Sequence, residues 1–237
     1  MGISLVLLSG LIYLIQILVF HRQEDTAFYL FQDIAFLPIY VLLVTIIVDR
    51  IFARREKQAM LSKMNMVIGA FFSEVGTELL RTLSGYDRNN DAFVAVLLGN
   101  KDWSDRKFEG IRKYLETHDF KIDTRDKDME SLKSYLVRRR VFMLRLLENP
   151  NLLEHDTFTD LLWAVMHLTE ELAYRYDVTQ LTDPDRKHIE GDITRAYSLL
   201  ILEWLAYIRH LRDSYPYIFH LVARINPFDK EAAAEVR

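Results

Sequence analysis

The opening fifty residues constrain this chain more than any other part of it. Residues 3–20 are apolar apart from Ser4, Ser9 and Gln16, and residues 28–48 form a second apolar run. At about 1.5 Å of rise per residue the first run is ~27 Å long as a helix, close to the hydrocarbon thickness of a bilayer. Between them lies His21-Arg22-Gln23-Glu24-Asp25-Thr26-Ala27, too polar for a membrane core and short enough for a turn. The pattern predicts a transmembrane hairpin over residues 1–53, followed by a cytoplasmic α-helical bundle, so the fold class is all-α. A cleaved signal peptide is a poorer fit: the first run lacks a basic leading region, and no small-x-small cleavage site follows Phe20. Val6 stands where a myristoylation signal needs Ser or Thr.

Orientation follows from the basic residues. The predicted turn carries Arg22, whereas Arg50, Arg54, Arg55, Lys57 and Lys63 follow the second run. Positive residues collect on the cytoplasmic side. The expectation is a two-span protein of the cell membrane, with its N-terminus and its large domain both cytoplasmic. Arg50, Arg54, Arg55 and Lys57 read as topology determinants that contact lipid headgroups.

Polar residues inside an apolar span are costly and mark functional positions by default. The intramembrane polar candidates are Gln16, Gln32, Asp33 and Thr45. Gln32 and Asp33 follow only about four apolar residues, which places them near headgroup level by the depth dependence of that cost. Pro38 removes a backbone donor and is expected to kink its helix or loosen one turn.

The rest of the chain reads as helices. Gly and Pro number only 8 and 5, which disfavours turn-rich β folds. Met64, Val67, Ile68, Phe71, Val75 and Leu79 recur at helical spacing. They predict a juxtamembrane helix over residues 54–85 that stops at Ser84-Gly85. The bundle is expected over residues 86–229, with helices near 91–98, 102–117, 129–147, 156–174 and 183–213. A short last helix should end at Asn226-Pro227, and residues 230–237 should fray. Asp183-Pro184 is a start signal, a cap followed by proline at the first helical position. Asp156 or Thr157 opens its helix with Asp160 placed as in a capping box.

Several function classes are excluded or weakened. The chain has no cysteine, which removes disulfides, thiolate metal sites and cysteine nucleophiles. A net charge of −4 is not the basic footprint of a nucleic-acid binder. There is no phosphate-binding Gly-rich loop, nucleophile elbow or His-Glu-x-x-His.

Arg138-Arg139-Arg140 is the most conspicuous charge run. Arg139 falls within the stripe of Leu132, Tyr135, Leu136, Phe142, Met143 and Leu146, where a charge needs a partner. Glu203, flanked by apolar residues on both sides, is the expected partner in a buried ion pair. Metal binding has little support in the spacing. No Glu-x-x-His occurs, as di-iron bundles require. His167 with Glu170 and Glu171, and His188 with Glu190 and Asp192, read as solvated or capping residues. No metal site, catalytic residue or cofactor is expected.

Arg112-Lys-Tyr-Leu-Glu-Thr-His118 resembles the Arg-x(4–6)-His motif of HEPN ribonucleases, which are also helical. The resemblance covers seven residues. Lys113 stands where that family usually has Asn, Asp or His, and the stretch lies mid-chain rather than near the C-terminal end of the domain. It implies that Arg112 and His118 would act together on RNA, commonly in a dimer.

The leading expectation is a non-enzymatic tether, scaffold or sensor that works as a homo-oligomer. Its partners are the lipid bilayer and a protein on the cytoplasmic domain, and no nucleic acid is expected. An oligomeric pore lined by the hairpin is the first alternative, and a membrane-tethered HEPN-like ribonuclease the second.

Overall fold

A computed structural model describes residues 2–20, 23–99, 102–150, 152 and 155–235. The chain divides into two compact units, Met1–Ala59 and Met60–Arg237. Among the described residues every regular element is helical, and the β-type pairing is a single antiparallel bridge between Asp87 and Ile122.

The first unit contains α1 (Gly2–Phe20) and most of α2, whose full extent is Gln23–Phe71. His21 and Arg22 of the predicted turn lie outside the described residues. The remainder of that predicted turn, from Gln23 onward, is instead the first turns of α2. Pro38 sits inside α2 without ending it. Between Phe28 and Phe52 the large apolar side chains of α2 are exposed around the whole helix, and most of those of α1 from Leu7 to Val19 are exposed, with Tyr13 and Ile17 half-buried. Among the described residues one helical stretch, Ala27–Lys57, is long and apolar enough to cross a membrane. A shorter apolar stretch, Leu7–Val19, belongs to α1.

The second unit is built around α7 (Asp156–Tyr174) and α8 (Asp183–Ser214). Apolar residues recur along α8 at three- and four-residue steps: Ile189, Ile193, Ala196, Tyr197, Leu200, Ile201, Trp204, Ile208 and Leu211 are all buried. Leu161, Leu162, Val165, Leu168 and Leu172 form the matching stripe on α7. Around this pair pack α6 (Met129–Leu147), α5 (Asp105–Thr117), α3 (Thr77–Ser84) and α9 (Pro216–Arg224), with α4 (Asn90–Leu98) contributing Phe93 and Leu97 to the core. The last turns of α2 supply Met64, Ile68 and Phe71, and Met66 faces out.

Helix boundaries follow local chemistry, with small displacements from expectation. Gly85 caps α3 as anticipated. Thr182 rather than Asp183 precedes α8, so that the aspartate begins the helix with Pro184 behind it. Ser104, not Asp102, precedes α5. The capping box at α7 does not form. His155 takes the role, its Nδ1 accepting from the Phe158 amide at 3.2 Å. In the tail, the Ala234 carbonyl accepts from Arg224 Nε at 3.2 Å.

Between α2 and α3 the ladder widens into one π-turn, Phe72–Gly76. The Phe72 carbonyl accepts the Thr77 amide across this turn. Thr77 Oγ1 donates to the Phe72 carbonyl at 2.8 Å. Tyr135 of α6 donates to the carbonyls of Glu74 and Val75. Gly76 lets the turn close, because a Cβ there would stand 2.5 Å from the Phe72 ring and 2.9 Å from that of Phe71.

Candidate functional site

In the first unit, Ser9, Tyr13 and Gln16 lie one turn apart on α1 and share one shallow concavity with Asp33 of α2. Tyr13 donates its hydroxyl hydrogen to Asp33 Oδ2 at 3.0 Å. Gln16 and Asp33, predicted separately from the two runs, are thus brought together. Gln32 is not. It turns to a different face of α2 with Phe28 and Phe31, because consecutive residues are rotated by about 100° on a helix. Thr45 lies three turns further on and lines neither surface. Arg50, Arg54, Arg55 and Lys57 are all exposed on α2.

In the second unit, four groups that can bind a cation converge on the α7–α8 pair. His167 and Glu171 are one turn apart on α7, and His188 and Asp192 are one turn apart on α8. Residues at that spacing share a helix face, and the α7–α8 packing turns the two faces toward each other. His188 Nε2 stands 3.3 Å from Asp192 Oδ2 and 3.5 Å from Glu171 Oε2. His167 Nε2 stands 3.5 Å from Asp192 Oδ2 and 3.9 Å from Glu171 Oε1. The imidazoles are half-exposed, but the Asp192 side chain is only 5% exposed, and its Oδ2 accepts no hydrogen bond.

Both carboxylates are steered from behind. Arg175 Nη1 meets Glu171 Oε2 at 2.6 Å. The same guanidinium makes a two-pronged contact with Asp185, Nη2 to Oδ1 at 2.6 Å and Nε to Oδ2 at 3.1 Å. Its hydrogen bonds hold the Glu171 and Asp185 carboxyls below their usual range, and its own ionisation is raised, chiefly through Asp185. Arg195 reaches the other oxygen of Asp192, Oδ1, at 3.5 Å.

The sequence reading takes His167 with Glu170 and Glu171, and His188 with Glu190 and Asp192, as two separate solvated or capping groups; the structure joins His167, Glu171, His188 and Asp192 in one cluster. The usable signal was a His-x-x-x-Glu on one helix and a His-x-x-x-Asp on the next, facing each other across a single loop.

The expected Arg139–Glu203 pair does not form. Arg139 Nη1 meets Glu74 Oε2 at 3.0 Å, and both side chains are about half-exposed. The π-turn explains the error: it carries Glu74 to α6, a contact no helical periodicity announces. Glu203 is buried, as expected, but its partner is the Thr157 hydroxyl at the start of α7, with His155 nearby. Burial pushes its carboxyl above the ordinary value, against the opposing pull of that hydrogen bond.

Arg112 is exposed on α5, whereas His118 follows the end of that helix with its side chain turned inward. The imidazole lies among Tyr114, Phe93 and Phe120. Its Nε2 is 3.7 Å from Oδ2 of Asp87, whose side chain is fully buried. Asp87 Oδ1 accepts from the amides of Asn89 and Lys121, which ties the Asp87–Ile122 bridge together.

Two family models match the chain. The model described as the N-terminal helical domain of MJ1433 matches residues 1–52, and that of the C-terminal helical domain of uncharacterized protein MJ1433 matches residues 60–224. The chain is 43% identical over 231 residues to uncharacterized protein MJ1433 of Methanocaldococcus jannaschii, an alignment that covers 98% of this chain and 93% of that protein. No solved structure matches. With both helical domains matched and similarity over nearly its whole length, this chain belongs to the MJ1433 family.

Proposed function

We propose that the protein is anchored in a membrane through both α1 and α2, with its helical domain on the cytoplasmic side, and that it works as a non-enzymatic tether, scaffold or sensor through oligomerisation. One observation carries the reading. The apolar side chains of Ala27–Lys57 are exposed on every face of α2, and an all-round apolar helix needs an apolar surrounding. The 22 residues from Ala27 to Val48 would span about 33 Å at 1.5 Å per residue, enough for the hydrocarbon core. Asp49 and Arg50 then fall at the headgroups, and Arg54, Arg55 and Lys57 face anionic lipid. Gly2–Phe20, at about 28 Å, is long enough to return across the bilayer.

The chain has no cysteine, so single cysteines report topology directly. In intact cells a membrane-impermeant maleimide is expected to label an Asp25→Cys variant. It should label Lys230→Cys only after lysis. Labelling in the reverse order, or release of the protein by an alkaline carbonate wash, would remove the reading. A strictly monomeric protein in lipid nanodiscs would remove the oligomeric part of it.

The grouping of Ser9, Tyr13, Gln16 and Asp33 in one concavity favours a second reading, an oligomeric pore. It predicts unitary currents after reconstitution that Asp33→Asn alters, whereas a tether gives none.

A further inference from the structure

Beyond any role at the membrane, we propose that His167, Glu171, His188 and Asp192 form a site for one divalent transition-metal ion, zinc by preference, which clamps α7 to α8. The inference is independent of the topology of the first unit.

Geometry is the first support. In a tetrahedral zinc site the bonds to histidine nitrogen and carboxylate oxygen are about 2.0–2.2 Å, which puts neighbouring donor atoms about 3.3–3.6 Å apart. Both histidine Nε2 atoms fall in that range from the one Asp192 oxygen Oδ2, at 3.3 and 3.5 Å, while Glu171 presents Oε2 to His188 at 3.5 Å and Oε1 to His167 at 3.9 Å. One donor atom from each residue lies within 4.8 Å of all the others. Direct charge-assisted hydrogen bonds between the same groups would be shorter, about 2.7–2.9 Å. The spacing therefore suits four ligands around one centre better than two imidazolium–carboxylate pairs.

Asp192 is the second and independent support. Its side chain is more than nine-tenths buried, and Oδ2 has no hydrogen-bond partner although both histidine Nε2 atoms face it. Arg195 meets only the other oxygen. A buried carboxylate oxygen without a donor is costly, and a metal ion satisfies it without a proton.

Orientation of the ligands is the third. Arg175 holds Glu171 while Asp185 holds Arg175, the kind of outer support that fixes metal-binding carboxylates. Two neutral imidazoles and two carboxylates balance the charge of a divalent ion. A mixed nitrogen and oxygen set of this type suits zinc ahead of magnesium or calcium, which take oxygen alone. Four protein ligands close the coordination shell, the pattern of a structural rather than a catalytic zinc. The ligands stand on both sides of the α7–α8 loop, so the ion would fasten the two central helices of the domain near that loop.

The test uses the full-length, tag-free chain in detergent, stripped with a chelator and titrated with Zn(II) or Co(II) alone. One equivalent of zinc is expected to bind and to raise the unfolding temperature, and Co(II) should give the intense visible bands of a four-coordinate ion. The double variant His167→Ala/His188→Ala should lose the binding, and Asp192→Asn should weaken it at least tenfold. Absence of saturable binding by the wild type would overturn the proposal, as would unchanged stoichiometry in the double variant. Should either variant fail to fold, histidine carbethoxylation of the wild type decides the matter. Zinc must protect His167 and His188 while leaving the exposed His220 reactive; equal reactivity of all three with and without zinc overturns the site.

Discussion

Tyr135 donates its hydroxyl hydrogen to the carbonyl of Val75 at 3.0 Å, joining residues sixty apart in sequence. That bond fastens α6 to the π-turn, and beside it Arg139 meets Glu74. The wide turn and the arginine-rich helix therefore form one interface, made by a hydroxyl, a guanidinium and the carbonyls that the turn exposes. Tyr135→Phe keeps the ring and removes the donor. It is expected to cost about 1 kcal/mol in chemical denaturation, the usual worth of one partly buried hydrogen bond. An unchanged midpoint would mean that water serves those carbonyls equally well.

Gly76 closes the same turn against two buried rings. Phe71 stacks edge-on to Phe158, and Phe72 lies flat on Tyr207. Neither ring has room to retreat from a new methyl group at 2.5–2.9 Å. Gly76→Ala should destabilise the domain by about 1–3 kcal/mol, the range for overpacking a filled core. A neutral result would show that the turn can revert to a regular α-helix at little cost.

Glu203 makes stability depend on pH in one direction. Burial raises its carboxyl above the ordinary 4.5, so the folded state holds the proton more tightly than the unfolded chain. Stability from this group is fully present below about pH 4.5 and is lost as pH rises through the raised folded value. Glu203→Gln keeps the shape and removes the charge. It should raise the unfolding temperature at about pH 8, with the gain narrowing as the medium is acidified toward 4.5. A destabilised variant at about pH 8 would show that the ionised carboxylate is well served by Thr157 and the start of α7.

Arg175 works in the opposite direction. It holds Glu171 and Asp185 below their usual ranges, so their contribution is present above about pH 4–5 and lost as pH falls through the lowered values. Arg175→Ala should remove it, at a cost of about 1 kcal/mol or less near neutrality for pairs so open to solvent. Measured with chelator present, the variant should lose less stability than the wild type on acidification. Parallel acid curves would assign the sensitivity to other carboxylates.

Much of the domain was legible from local pattern. Asn149-Pro150, Asp183-Pro184, Tyr215-Pro216 and Ser84-Gly85 bracket helices that end or begin within a residue or two of those signals, because proline and glycine act on the backbone where they stand. The stripe of α7 was readable for a related reason. Helical periodicity reports which face of an element is apolar, whatever that face later packs against.

Tertiary packing decided the pairings. Arg139 has the same one-dimensional surroundings whether its partner is Glu203 or Glu74, and a five-residue π-turn selected Glu74. His167–Glu171 and His188–Asp192 were visible as two i,i+4 pairs, but only the crossing of α7 and α8 turned four side chains toward a common centre. The sequence by itself determined where the chain is helical and where it is apolar, since propensity and hydrophobic spacing are local properties. Which charges meet depended on the register between helices, set by how side chains interlock over the whole core.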